Sequence, residues 1–221
     1  GAGPGMPALL LPRRFSVVAM RVWARTMLAA LKWIVGLDWE LRGDRQALAR
    51  PGVLAAKHQS TWDTVVFLAI AADPAYVLKK ELLLIPFYGW VSLKAGMIGV
   101  DRGKGGAAIR SMAKGARRAI ADGRQVVIFP QGTRVAPGAV VPYQPGVAAL
   151  YGQMEATVTP IALNSGLFWG RRSFIKRPGK IVLEILPPLP PGLDRKTFMA
   201  TLEQQIEAAS ARLAAEAAAT G

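Results

Sequence analysis

The chain contains no cysteine and a single histidine, His58, in 221 residues. The first absence excludes a thiolate nucleophile, disulfides and any thiolate-bound metal, and the second excludes a histidine-rich metal centre. Acidic residues are scarce as well, 14 against 28 lysines and arginines, which leaves a formal net charge of +14. That balance favours anionic partners, whether nucleic acid, lipid headgroups, phosphorylated substrates or an acidic carrier protein, and does not choose among them. Apolar runs of membrane-spanning length are also missing. The uncharged runs 26–31 and 33–37 fall far short of the roughly 20 residues a span needs, and the longer run 135–154 is broken by Pro137, Pro142 and Pro145. Internal repeats are absent, and nothing argues for export. Hydrophobic residues nevertheless make up 52% of the chain and charged ones 19%, so some apolar surface is expected to meet lipid.

The length fits one domain with a sizeable core and a helical appendage. Residues 1–5 (GAGPG), before Met6, read as a tag remnant and are set aside. Residues 13–36 read as a helix with no internal proline or glycine. Arg14, Arg21, Arg25 and Lys32 fall within about 40° on its wheel, with Trp23, Met27 and Ile34 opposite. Such a helix is expected to lie in a membrane interface, its tryptophans among headgroups and its cations on anionic phosphates. The first unit is therefore taken as 1–36 and the second as 37–221.

Over 37–221 an α/β rhythm emerges. Strands are predicted at 37–42, 53–57, 76–79, 97–100, 126–129, 158–163 and 181–186, with helices at 62–71, 105–121 and 145–152. This alternation predicts a mixed, largely parallel sheet flanked by helices, with ligands gathering beyond the strand ends. The proline-rich 187–191 leads into a last helix whose apolar stripe is Phe198, Leu202, Ile206, Ala209 and Leu213.

The lone histidine has a carboxylate five residues on, Asp63, within KHQSTWDT at 57–64. In one continuous helix the two side chains would diverge by roughly 140°. With His58 in a strand-end loop and Ser60 or Thr61 capping a new helix, Asp63 lies in the first turn and can reach back to the imidazole. Three further blocks follow in order: GMIGVDR at 96–102, FPQGTR at 129–134 and VTPI at 158–161. Across about residues 40–190 the chain thereby resembles the glycerolipid acyltransferases, specifically the bacterial PlsC type of lysophosphatidate (1-acylglycerol-3-phosphate) acyltransferase. One position departs from the pattern, for the family reads Glu where this chain has Gln131.

The resemblance implies transfer of an acyl group from a thioester to the 2-hydroxyl of lysophosphatidate, giving phosphatidate. His58 would be the general base and Asp63 would fix its tautomer and steady the imidazolium. Arg102 and Arg134 would grip the phosphate, with Gly132 and Thr133 offering amides and a hydroxyl, and Gln131 orienting Arg134 or a substrate hydroxyl. Ser60 already has an explanation as a cap. No metal or cofactor is expected; acyl carrier protein or coenzyme A thioesters would be co-substrates, and anionic membrane lipid the other partner. The resemblance places such a protein on the cytoplasmic face of the inner membrane, peripheral or monotopic, and implies two N-terminal helices where the wheel argues for one. The apolar stretch 82–90 would line an acyl tunnel or pack in the core, and the basic face of 105–121 would be solvated, membrane-bound or a carrier-protein dock. Rival readings are the same chemistry on another acceptor, such as glycerol 3-phosphate, a lyso-ornithine lipid or another lysophospholipid, and a non-catalytic basic module binding nucleic acid or membrane.

Overall fold

A computed structural model describes residues 12–153 and 156–220, without the side chains of Arg102, Gln153 and Thr220. Seven strands form one sheet: β1 (Leu37–Gly43), β2 (Gly52–Ala56), β3 (Pro74–Lys79), β4 (Ile98–Val100), β5 (Gln125–Ile128), β6 (Val158–Leu163) and β7 (Gly179–Ile185). Their order is β1-β7-β6-β2-β5-β3-β4, and every pairing is parallel except β6 with β7. This is the mixed, largely parallel sheet that the alternation predicts.

Helices cover both faces, as the strands require. Successive residues of a strand point to opposite sides. In β2, Val53 and Ala55 join one core with α4 (Gly105–Ala121), α5 (Gly146–Gln153) and α6 (Arg195–Thr220). Leu54 and Ala56 join another with α1 (Arg13–Val35) and α2 (Trp62–Ile70). Because both faces are covered, the central strands are almost wholly apolar, with Gln125 of β5 and Thr159 of β6 the polar exceptions; all of β2 and β6 is buried. The expected stripe of α6 is the one that docks, with Phe198, Leu202, Ile206 and Leu213 fully buried and Ala209 nearly so. Each large side chain so buried stabilises the fold by about 1.5–3 kcal/mol.

A short helix not foreseen, α3 (Tyr88–Lys94), follows the 3-10 turn Lys80–Leu84. Core packing does not explain this region. Leu84 is 79% exposed and Phe87 61%, with Ile85, Tyr88, Trp90 and Leu93 also exposed.

Among the described residues one N-terminal helix is present, and whatever precedes Pro12 lies outside them. It lies against the sheet through Ala24, Leu28 and Leu31, a stripe offset from the Trp23–Met27–Ile34 face that the wheel picks out. Several of its cations serve as anchors to the domain. Arg13 grips both oxygens of Asp73 at 2.8 and 2.6 Å, Arg21 donates to the carbonyls of Ala71 and Ala72, and Lys32 pairs with Asp38 at 2.8 Å. What α1 presents outward is apolar, including Val18, Val22, Trp23, Trp33 and Ile34, with Arg14 and Arg25 exposed beside them.

Candidate active site

β2, β5 and β6 lie side by side and run in one direction, so the loops leaving their C-terminal ends meet at one edge. His58 follows β2, Phe129 to Arg134 follow β5, and Ser165 follows β6. The chain leaves β2 through Lys57, whose N–H still pairs with the Ile161 carbonyl at 2.9 Å. His58 is then pinned by its backbone. Its carbonyl accepts from the Val135 N–H at 2.8 Å, and its own N–H approaches Gln131 Oε1 at 3.4 Å, the long end of hydrogen bonding.

The strand, turn and helix start that the His58–Asp63 spacing demands are all present. Ser60 Oγ accepts the Trp62 N–H at 3.2 Å at the start of α2, while Thr61, the other capping candidate, makes no cap bond. Asp63, in the first turn and fully buried, reaches back across it. Its Oδ2 lies 3.0 Å from His58 Nδ1 and accepts the N–H groups of Gln59 at 2.6 Å and Ser60 at 2.8 Å. Its Oδ1 accepts the Ser165 hydroxyl at 2.6 Å. A carboxylate held by so many donors favours the tautomer with the proton on Nδ1, which leaves Nε2 able to accept one. The Phe129 ring stacks on the imidazole, centroids 4.0 Å apart and planes 18° off parallel. The ring is thus fixed at one edge and on one face.

Sequence reasoning missed Ser165 and Gln59, whose Oε1 accepts the Gly166 N–H at 3.0 Å and ties the two loops together. It also missed Lys57. That ammonium is buried and meets both oxygens of Glu207 on α6 at 2.6 Å, where the Tyr143 hydroxyl donates too, at 2.8 Å. Burial and the neighbouring Glu207 carboxylate push the Tyr143 phenol far above its ordinary range.

His58 opens on a cavity of about 510 Å³. One part of its wall is polar, with Thr61, Gly132, Thr133 and Arg134; the rest is largely apolar, with Met20 and Trp23 of α1, Leu68, Leu78, Leu82 and Met97. Tyr76 also lines it, its hydroxyl donating to the Thr64 carbonyl at 2.8 Å. Burial raises that phenol well above its usual range, so it stays neutral. Arg134 donates to Thr61 Oγ1 at 2.8 Å, which holds it on the wall. The block bearing it turns tightly: the Gly132 N–H returns to the Phe129 carbonyl at 2.9 Å with φ at +67°, a region where a side chain would be strained.

The site residues anticipated from sequence are therefore gathered unevenly. His58, Asp63, Gly132, Thr133 and Arg134 converge on the cavity or its base. Gln131 is buried and turned to the His58 amide, not to Arg134. The backbone of Arg102 opens the 3-10 turn Arg102–Lys104 after β4, while its side chain lies outside the described structure. Leu82 and Tyr88 of the apolar stretch 82–90 reach the cavity, and the VTPI block is buried strand. Among the described residues no group of three or more histidines, aspartates or glutamates is placed to hold a metal ion.

Comparisons with known proteins show what this chain is similar to. The chain is 32% identical to the 1-acyl-sn-glycerol-3-phosphate acyltransferase of Pseudomonas aeruginosa over 202 residues, covering 91% of this chain and 78% of that protein. It is 29% identical over 169 residues to the sheep (Ovis aries) 1-acyl-sn-glycerol-3-phosphate acyltransferase alpha, covering 75% of this chain but only 59% of that longer relative. The crystal structure of the 1-acyl-sn-glycerophosphate (LPA) acyltransferase PlsC from Thermotoga maritima superimposes with a TM-score of 0.72 over 91% of this chain and 80% of its own, at 19% identity, a likeness of fold. With the Acyltransferase family model matching residues 39–164, from within β1 to just past β6 and including His58 and Asp63, this chain belongs to the acyltransferase family.

Proposed function

We propose that the protein is a 1-acylglycerol-3-phosphate acyltransferase, moving a fatty acyl group from a thioester to the 2-hydroxyl of lysophosphatidate and releasing phosphatidate. The observation that carries this reading is the His58–Asp63 pair at a cavity that sets Arg134, Thr61 and Thr133 near the dyad and is mostly apolar beyond them, Lys79 and Ser92 being polar exceptions. That is the division of a lysophosphatidate molecule. In this reading Arg134, with Thr133 and the Gly132 backbone, holds the phosphate and glycerol, and Arg102 is a further phosphate ligand. The acyl chain lies along Leu68, Leu78 and Met97.

His58 Nε2 removes the proton of the 2-hydroxyl as its oxygen bonds to the thioester carbonyl carbon. The tetrahedral intermediate then breaks its C–S bond, and the leaving thiolate takes the proton back from the imidazolium. Asp63 keeps Nδ1 protonated and offsets the transient charge, the orienting role that an aspartate plays in a hydrolase triad. The substrate supplies the nucleophile, which is why neither a cysteine nor an activated serine is needed. The reaction as written requires no bound cofactor, with acyl carrier protein or coenzyme A carrying the donor.

The same reading makes the protein peripheral or monotopic on the cytoplasmic face of the inner membrane. No helix among the described residues is long and apolar enough to cross a bilayer, yet α1 and α3 both expose apolar side chains and both line the cavity, through Met20, Trp23 and Tyr88. An acceptor could enter from lipid without passing through water. A purified-protein assay tests the proposal by offering lysophosphatidate, glycerol 3-phosphate, a lyso-ornithine lipid and neutral lysophospholipids with both donor types. Phosphatidate formed in preference to other products is expected. Equal or faster turnover of an acceptor lacking a phosphomonoester would overturn the assignment.

A further inference from the structure

The loop between β6 and β7 carries two exposed apolar side chains that no core explains. Phe174 is 96% exposed and Ile175 74%, inside the sequence RRSFIKR at 171–177. Two cations precede the pair and two follow it, and no acidic residue occurs anywhere from 156 to 183. Arg171, Arg172, Lys176 and Arg177 have no carboxylate partner among the described residues.

The tip is held in place by its own bonds. The Arg177 N–H closes on the Phe168 carbonyl at 2.9 Å, and Trp169 Nε1 donates to the Ser173 carbonyl at 3.0 Å. Ser173 Oγ accepts the Ile175 N–H at 3.1 Å, and the Lys176 ammonium sits 4.5 Å over the Trp169 ring. A preformed finger of this kind pays little ordering entropy on binding. Its base adjoins α1, since the Gly179 N–H donates to the Gly36 carbonyl at 3.0 Å, one turn beyond Trp33 and Ile34, which are 82% and 83% exposed. Its other end begins at Ser165, bonded to Asp63.

We propose that residues 170–177 form a second lipid-contacting element, which inserts Phe174 and Ile175 into an anionic bilayer while the flanking cations meet headgroup phosphates. This rests on the membrane association proposed above and adds a separate point of contact to α1. A convex apolar tip needs a matching pocket on a folded partner but none in hydrocarbon, and its cationic collar complements anionic lipid. Continuity with the exposed end of α1 favours the same occupant. Two contacts on different elements would fix the tilt of the protein, and hence the direction in which the cavity faces.

Because the chain has no cysteine, Phe174→Cys and, separately, Val22→Cys on the outward face of α1 each accept one environment-sensitive fluorophore. Both full-length proteins are mixed with phosphatidylglycerol–phosphatidylcholine vesicles containing a nitroxide lipid. Blue-shifted emission and quenching from both positions are expected. A label at 174 that stays in water while the label at 22 enters lipid overturns the second contact and leaves the α1 reading intact; if neither enters, both fail. A response at 174 to acyl carrier protein, with none to vesicles, overturns the lipid assignment in favour of protein docking. Phe174→Glu with Ile175→Glu should lower vesicle affinity about tenfold or more while leaving turnover of a detergent-dispersed acceptor unchanged. Unchanged vesicle affinity in that variant would also refute the proposal.

Discussion

Replacing Ser165 by alanine isolates a long-range contact to the catalytic pair that sequence reasoning could not supply. The Asp63 carboxylate is fully buried, and Oδ2 already serves the imidazole and two backbone amides, so Oδ1 depends on the Ser165 hydroxyl at 2.6 Å. Alanine leaves that oxygen without its donor. Hydrogen bonds to charged groups contribute about 1.5–3 kcal/mol, and leaving a buried charged acceptor unpaired costs at least as much. If the carboxylate turns to recover a partner, it does so at the expense of the Nδ1 bond, and the ring leaves its reactive angle. The loss then appears in the transition state, where about 1.4 kcal/mol is tenfold in rate, so kcat should fall roughly 10- to 100-fold. The acceptor KM should barely change, because Ser165 does not line the cavity. Steady-state kinetics with lysophosphatidate varied at saturating donor separate the two constants, and circular dichroism melts check that the variant is folded. A folded variant with kcat within twofold of the parent would refute the claim that the Ser165 bond positions the base.

Four other outcomes are expected, three from the same site and one from ion pairs elsewhere on the domain. His58→Ala should abolish nearly all acyl transfer and Asp63→Asn most of it, both without unfolding the protein; substantial residual turnover in His58→Ala, measured by labelled phosphatidate, would remove it as the base. Arg134→Ala should raise the acceptor KM by about 10- to 100-fold, the worth of a charged hydrogen-bonded contact to phosphate, and an unchanged KM would move the phosphate site elsewhere. Gln131→Glu should change activity less than about tenfold, because a carboxylate oxygen can accept from the His58 amide as the glutamine does; an inactive parent restored by this change would instead make the carboxylate part of the chemistry. Stability should hold from pH 7 to about 5 and fall below about pH 4. Asp38, Asp101 and Glu216 are held below their ordinary values of 3.8, 3.8 and 4.5 by hydrogen bonds from Lys32, Lys80 and Arg42 respectively, so their contribution is full above those values and is lost as acid protonates them. Thermal melts across this range check it, and a melting temperature that rises on acidification would contradict the sign.

What the sequence made legible was local. A short apolar run and the 3.6-residue pattern reach over a few residues, and they suffice for β6, for α4 and for the buried stripe of α6. The His58–Asp63 geometry was legible for the same reason, since a five-residue spacing constrains the turn between them. Ser165 was not, because its bond spans 102 residues and depends on β6 lying beside β2. The Lys57–Glu207 pair spans 150 and depends on where α6 docks. On α1 the wheel located Arg21 and Lys32 but not their use, and it left out Arg13: these three are drawn to the Ala71 and Ala72 carbonyls, to Asp38 and to Asp73 respectively, partners that become visible only in the fold. The exposed apolar face then became visible only once the buried stripe was known. α3 escaped notice because Pro86 lies just before it and Gly89 falls in its first turn.

The reversed strand β7 gives this architecture a polarity. Running against β6 and alongside β1, it makes β1 begin at the edge where β2, β5 and β6 end. The last turn of α1 and the root of the 170–177 finger are thereby delivered to the catalytic edge by strand direction, before any side chain is chosen. Had β7 run the other way, β1 would start at the far edge, and the same helix would enter the domain on the side remote from His58. One antiparallel strand in an otherwise parallel sheet thus brings the exposed end of α1 and the root of the proposed lipid-contacting finger to the same edge as His58.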